Sequence, residues 1–298
     1  MSRLSGFLDL LKAPFKIISN YGKLMGITAI VYLIIYSISY LLGTLSTQPF
    51  LLDLTIKLMN LASVQPGSPE FTKLLVAIAE DTGIFLGIEA AYTVLFFFIA
   101  VFTQTAIIII ASCYYSGYDL SPKELMFKIS KTWTRPFVTL IWVQLLSLGY
   151  TSFFLFLFMI PSLLLVKNPF IPIIVLIFLA ILFIGFYIYL SVVWSLGVVV
   201  SVVEESYGFS ALGKARDLVN GKKVYGFLLN LFIIIVGSVV LIIVATLSPA
   251  NPILVGVIQT ILIGVISMFQ FMAYTGFYYQ CKDGLEYTRV PVLHEDYP

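Results

Sequence analysis

Apolar residues gather in six long blocks along this chain, at 26–45, 89–113, 137–165, 171–203, 227–247 and 253–274. A helix needs roughly 20 such residues to cross a hydrocarbon core about 30 Å thick, so each block predicts one transmembrane span. The blocks at 137–165 and 171–203 are overlong, at roughly 45 Å and 50 Å as helices. They are expected to tilt, to kink at Pro161, or to project beyond the membrane. The alternative is a re-entrant pair that turns back within one leaflet. Only Lys-Asn-Pro at 167–169 separates them, which predicts a tight antiparallel hairpin. The first block is too long for the hydrophobic stretch of a cleaved signal and reads as an uncleaved anchor. The expected fold is an all-α integral membrane six-helix bundle, one domain over 1–298.

The polar stretches between blocks carry helix signals of their own. After the fourth block, Glu204 and Glu205 mark the exit from the membrane. Ser210 is placed to cap a short helix over 211–219, and Gly221 to end it in a left-handed conformation. Leu212, Ala215, Leu218 and Val219 share one side of that helix, which predicts an amphipathic helix lying at the headgroups. In SPKELMF, Ser121, Pro122 and Glu124 form a capping box ahead of the third span. FKIISNYGKLMG at 15–26 lines up with FKISKTWTRPFV at 127–138, so the chain reads as three successive units, each an interfacial helix followed by a hairpin. A long loop is expected over 46–83, with a short helix starting at Ser68-Pro69-Glu70 and helical character in FLLDLTIKLMNLA upstream.

Charge then sets the orientation. With the N-terminus in the cytosol, segment 1–25 holds Arg3, Lys12, Lys16 and Lys23, and the next cytosolic segment Lys123, Lys128, Lys131 and Arg135. The third holds Lys214, Arg216, Lys222 and Lys223, and the tail 275–298 holds Lys282 and Arg289. The other face has Lys57, Lys73 and Lys167, which accounts for all 17 basic residues. The excess on one face predicts cytosolic termini and an exoplasmic loop 46–83. Lys128, Lys131, Arg135, Lys214, Arg216, Lys222 and Lys223 are the candidate contacts to anionic lipid. The composition agrees with a lipid solvent: 60% of residues are hydrophobic and 11% charged, the latter roughly half the usual share. A net charge of +2 in scattered clusters gives no footprint for nucleic acid. No Asn-x-Ser/Thr sequon occurs.

Chemistry-bearing residues are sparse. The single histidine, His294, reads as a tail residue, and Cys113 and Cys281 lack partners that would make a nucleophile or zinc site. No phosphate-binding glycine loop occurs. No cofactor is expected and enzymatic activity is not. Glu89 is the ionisable residue nearest the membrane interior and is expected at headgroup level. Gln104, Gln144, Asn230 and Gln259 are neutral polar groups within spans, expected to hydrogen-bond between helices, with a polar permeation path as the alternative. Gly256, Thr260 and Gly264 give the sixth span a smooth face, and Ser191 with Ser195 repeats that spacing in the fourth. These stripes are expected to serve the bundle itself, with a homo-oligomer interface as the other use. Cys113 and Cys281 at membrane boundaries are accessible to palmitoylation, and YTRV at 287–290 has the form of a sorting signal.

The architecture and VVEESYGFSALGKARDLVNGKKVYGFLL resemble a plant family of multi-span membrane proteins labelled polyadenylate-binding protein-binding protein-like. A more distant similarity, through Glu204, Ala211, Leu212, Leu218 and Gly221, is to the membrane domain of some bacterial glycerophosphodiester phosphodiesterases, whose catalytic barrel is absent here. The plant family's label implies an RNA-binding partner protein and no established activity. The reading is a non-enzymatic scaffold, trafficking or membrane-organising protein of an endomembrane or the plasma membrane. Its expected partners are the bilayer and an unidentified cytosolic protein. A transporter or channel for a small or lipid-like solute is the first alternative, and a membrane-shaping hairpin protein the second.

Overall fold

The computed structural model describes residues 3–164, 170–247 and 252–289. Among them the chain forms eight helices and no strand: α1 (Arg3–Ser63), α2 (Pro69–Ser116), α3 (Pro122–Thr132), α4 (Thr134–Leu164), α5 (Phe170–Val203), α6 (Phe209–Asn220), α7 (Lys223–Leu247) and α8 (Pro252–Arg289). Six of these, all but α3 and α6, are long and apolar enough to cross a membrane. The protein is therefore an all-α integral membrane protein. The expected turn at 167–169, the YTRV segment's last residue and His294 lie outside the described residues.

The chain divides into two compact units. One comprises Met1–Gly26, Gln104–Ser238 and Ile266–Pro298, and the other Ile27–Thr103 and Val239–Val265. The first unit contains the short helices and the ends of the spans that carry most of the basic residues. Its core is built from Leu10 and Ile17 of α1, Ile107, Ile108 and Ile110 of α2, Leu196 of α5, and Tyr274, Phe277 and Tyr278 of α8, all essentially sealed from solvent. α4 and α5 pair as an antiparallel hairpin in which the Tyr150 hydroxyl donates to the Phe183 carbonyl at 2.6 Å and the two rings stack. At 31 and 34 residues these helices are about 46 Å and 51 Å long. The expected interfacial helix before the first span is continuous with α1, but the backbone breaks at Tyr21 (φ −113°, ψ 25°). In the alignment of 15–26 with 127–138, Tyr21 falls on Trp133, the residue that ends α3. The backbone at Trp133 stays in the helical region (φ −54°, ψ −28°), so the aligned positions share a helix boundary and not a bend.

The second unit departs most from expectation. Residues 46–83 hold the two expected helical stretches, but these are continuous with the spans and not separate elements of a loop. α1 runs unbroken through them to Ser63, and α2 starts at Pro69, with Ser68 capping it through a hydrogen bond from the Phe71 N–H at 3.1 Å. Half-buried positions recur at Phe50, Leu54, Lys57 and Leu61 on α1, and at Phe71, Leu74, Ile78, Asp81, Phe85 and Ile88 on α2. That alternation of three- and four-residue steps is the seam of an antiparallel coiled coil. Lys57 lies in the seam, ion-paired with Asp81 of the opposite arm and with Asp53 at 2.8 Å one turn back. The sequence did not show that Lys57 and Asp81 would pair across the arms. Tyr40 meets Gly256 near the start of α8, so the arms extend about 30 Å past that start at 1.5 Å per residue.

Candidate functional site

The basic end of the first unit is assembled at three helix corners. The first is α3. Ser121 accepts from the Glu124 N–H at 3.3 Å, while Glu124 accepts from the Ser121 N–H at 2.9 Å. This is the expected capping box, and its hydrogen bonds hold the Glu124 carboxyl below its ordinary value. Leu125 and Ile129 of α3 are buried in the core. Lys123, Phe127 and Lys131 recur every fourth residue on the exposed side, with Phe127 69% exposed and Met126 beside it at 67%. Lys128 turns the other way: its Nζ lies 3.9 Å from Cys113 Sγ and 4.6 Å from the centre of the Tyr118 ring. Just past α3, Arg135 pairs with Glu205 at 3.7 Å.

The second corner joins α5 to α6. Glu204 accepts from the Tyr278 hydroxyl at 2.7 Å and from Lys214 Nζ at 3.0 Å. Burial pulls its pKa upward, but the Tyr278 and Lys214 hydrogen bonds outweigh that and hold it below the ordinary carboxylate value. α6 starts two residues earlier than expected. Its N-cap is Gly208 at φ 60°, not Ser210, and no side chain caps it. Glycine is required there because a side chain would need the left-handed region and would meet the Trp142 indole at 3.1 Å. The Gly208 N–H donates instead to buried Thr139 Oγ1 at 2.9 Å. Gly221, expected to be left-handed, is right-handed (φ −76°) because the chain turns straight into α7.

The apolar face of α6 is where the expectation of a helix resting on headgroups gives way. Ala211, Ala215 and Val219 are fully buried, and Leu212 packs so closely on α5 that a Cβ on Gly197 would lie 2.6 Å from its Cδ2. That face is covered by protein, which leaves Lys214, Arg216 and Asp217 on the outside. At the third corner Lys222 donates to the Gln280 carbonyl of α8. Of the seven expected lipid contacts, Lys128, Arg135, Lys214 and Lys222 thus have partners within the protein, while Lys131, Arg216 and Lys223 are exposed.

The polar residues of the spans sort similarly. Asn230 donates to the Ile188 carbonyl at 3.0 Å and also to Ser191 Oγ, and Gln270 donates to Ser195 Oγ at 3.2 Å. Ser191 and Ser195 therefore serve as hydrogen-bond partners besides being small. Gln270 was missed in the sequence, although a glutamine in a span was itself a signal. Gln104 places its Oε1 in the interior without a partner among the described residues. Gln144 faces outward and does not bridge helices among the described residues. In the second unit, Gln259 donates to the Leu241 carbonyl at 3.4 Å. Glu89 is exposed at the base of the coiled-coil arm. Gly256 and Gly264 receive Tyr40 and Tyr32 of α1, with Thr260 buried between them, so this stripe is used for packing within the chain. Both cysteines are buried free thiols. Among the described residues no three of His, Cys, Asp and Glu gather closely enough to hold a metal ion.

No curated protein and no solved structure matches this sequence. The chain does match, over residues 2–286, the family described as a domain of unknown function (DUF8558). With a match across nearly its whole length, this six-span helical protein belongs to that family.

Proposed function

We propose that the protein is a non-enzymatic, membrane-organising component that works through its basic end, which lies against the cytosolic leaflet with both termini on that side. The observation that carries this reading is the outer side of α3. Two lysines, Lys123 and Lys131, flank the exposed Phe127 one turn away on either side, while Leu125 and Ile129 fix the helix to the core. An aromatic ring between cations suits the boundary between acyl chains and anionic headgroups. Because the helix is anchored from behind, lipid contact costs little ordering. Exposed Arg216 and Lys223 add to the same electrostatic face.

The experiment is to place a polarity-sensitive fluorophore at position 127 through Phe127→Cys and reconstitute the protein in nanodiscs. In discs containing phosphatidylserine the emission should shift to the blue relative to phosphatidylcholine discs, and Lys123→Gln with Lys131→Gln should abolish that difference. Identical emission in both lipids would overturn the reading. The orientation is checked by reporters fused at each terminus, which should both report the cytosol.

A further inference from the structure

Between α2, α3, α5 and α8 the first unit holds a cavity of about 390 Å³ whose wall is polar on one side and apolar on the other. Ser112, Lys128, Thr132 and Tyr279 supply the polar wall, and Val202 and Val203 much of the apolar one. We propose that this cavity binds one phosphate-bearing group, with Lys128 as its cation. The inference deepens the lipid reading above, since it assigns the inner side of the same helix to a discrete site.

Four observations support it. The lining contains a cation and no carboxylate. Lys128 is half-buried, and the partners it has are a thiol sulfur at 3.9 Å and an aromatic face at 4.6 Å. Neither neutralises an ammonium group, which keeps donors to offer an anion. Ser112 Oγ is sealed from solvent and has no partner among the described residues, a state that costs free energy until an acceptor or donor arrives. Glu124, one turn before Lys128 on α3, attracts it electrostatically, but its carboxylate is not part of the lining and accepts from the Ser121 N–H at 2.9 Å and the Tyr118 hydroxyl at 3.3 Å. The volume lies within the range of small-molecule sites. The valine wall suits the start of a lipid tail, but a soluble phosphate ester shares the headgroup chemistry.

The test uses the full-length protein purified in detergent, with dioctanoyl phosphatidic acid, dioctanoylglycerol and inorganic phosphate as probes and native mass spectrometry as readout. Phosphatidic acid should bind saturably at one site, and dioctanoylglycerol should not. Lys128→Gln should weaken binding roughly tenfold, and Lys128→Arg should restore part of it. Lys73→Gln, a charge change in the other unit, should have no effect. Displacement of phosphatidic acid by millimolar inorganic phosphate would identify a soluble phosphate source; no displacement would identify a lipid. Should Lys128→Gln not fold, Ser112→Ala removes only the enclosed hydroxyl, with about threefold weaker binding expected. Absence of saturable binding, or binding indifferent to these substitutions, overturns the proposal. The fluorophore at position 127 reads the surface separately, so a normal emission shift with no saturable binding sinks this site alone.

Discussion

The claim that α6 is covered by α5 and not by lipid can be tested with two substitutions and a change of sign. In Gly197→Ala the new methyl would lie 2.6 Å from Leu212 Cδ2 and 3.5 Å from its Cγ. Leu212 is 7% exposed and has little room to retreat, so overpacking of about 2 kcal/mol is expected. Alanine also gains about 1 kcal/mol over glycine as a helix former, which leaves a net loss of about 1 kcal/mol. Leu212→Ala alone should cost about 2–4 kcal/mol through lost burial and a cavity. In that background the obstacle is gone and the cavity accepts the new methyl. Gly197→Ala should then stabilise by about 1 kcal/mol, from its helix propensity. The coupling between the sites is thus about 2 kcal/mol, within the range measured for residues in contact. Reversible unfolding of the detergent-solubilised protein in a four-member mutant cycle reads it. If α6 rested on headgroups, Gly197→Ala would behave identically in both backgrounds, and a coupling below about 0.5 kcal/mol refutes the packing described.

Three further outcomes follow from the contacts. The Glu204 carboxyl has a lowered pKa in the folded state, against an ordinary value of 4.5. Its contribution is therefore fully present above that value and lost as pH falls through the lower folded one; Glu204→Gln should flatten the acid limb of a stability–pH curve without altering the slope near neutrality. Asn230→Leu removes the hydrogen bonds to Ile188 and Ser191 and should destabilise by about 1 kcal/mol, with Ser191→Ala adding little in that background, as a thermal unfolding series would show. In the coiled-coil arm, Lys57→Met leaves Asp81 without its seam partner and should lower the melting temperature, whereas Lys57→Met with Asp81→Leu should recover most of the loss; a double variant no better than the single one counts against the seam.

The number of spans and the capping box at Ser121 were legible because both are local: one is a length of apolar chain, the other a three-residue spacing. In 46–83 the two helical stretches were legible, but their continuity with the spans and their pairing were not. That Lys57 would meet Asp81 from 24 positions away shows only once the two helices lie side by side. Nor could the sequence tell which way Lys128 turns, or that Tyr278 lies beside Glu204 from 74 positions away.

α6 states the division most clearly. Its sequence determined that one face is apolar and the other charged, because a helix repeats every 3.6 residues. Lipid and protein are equally apolar covers for such a face, so hydrophobicity alone does not choose between them. The choice was made by the close approach that Gly197 allows to Leu212, a property of two helices together that neither segment carries by itself.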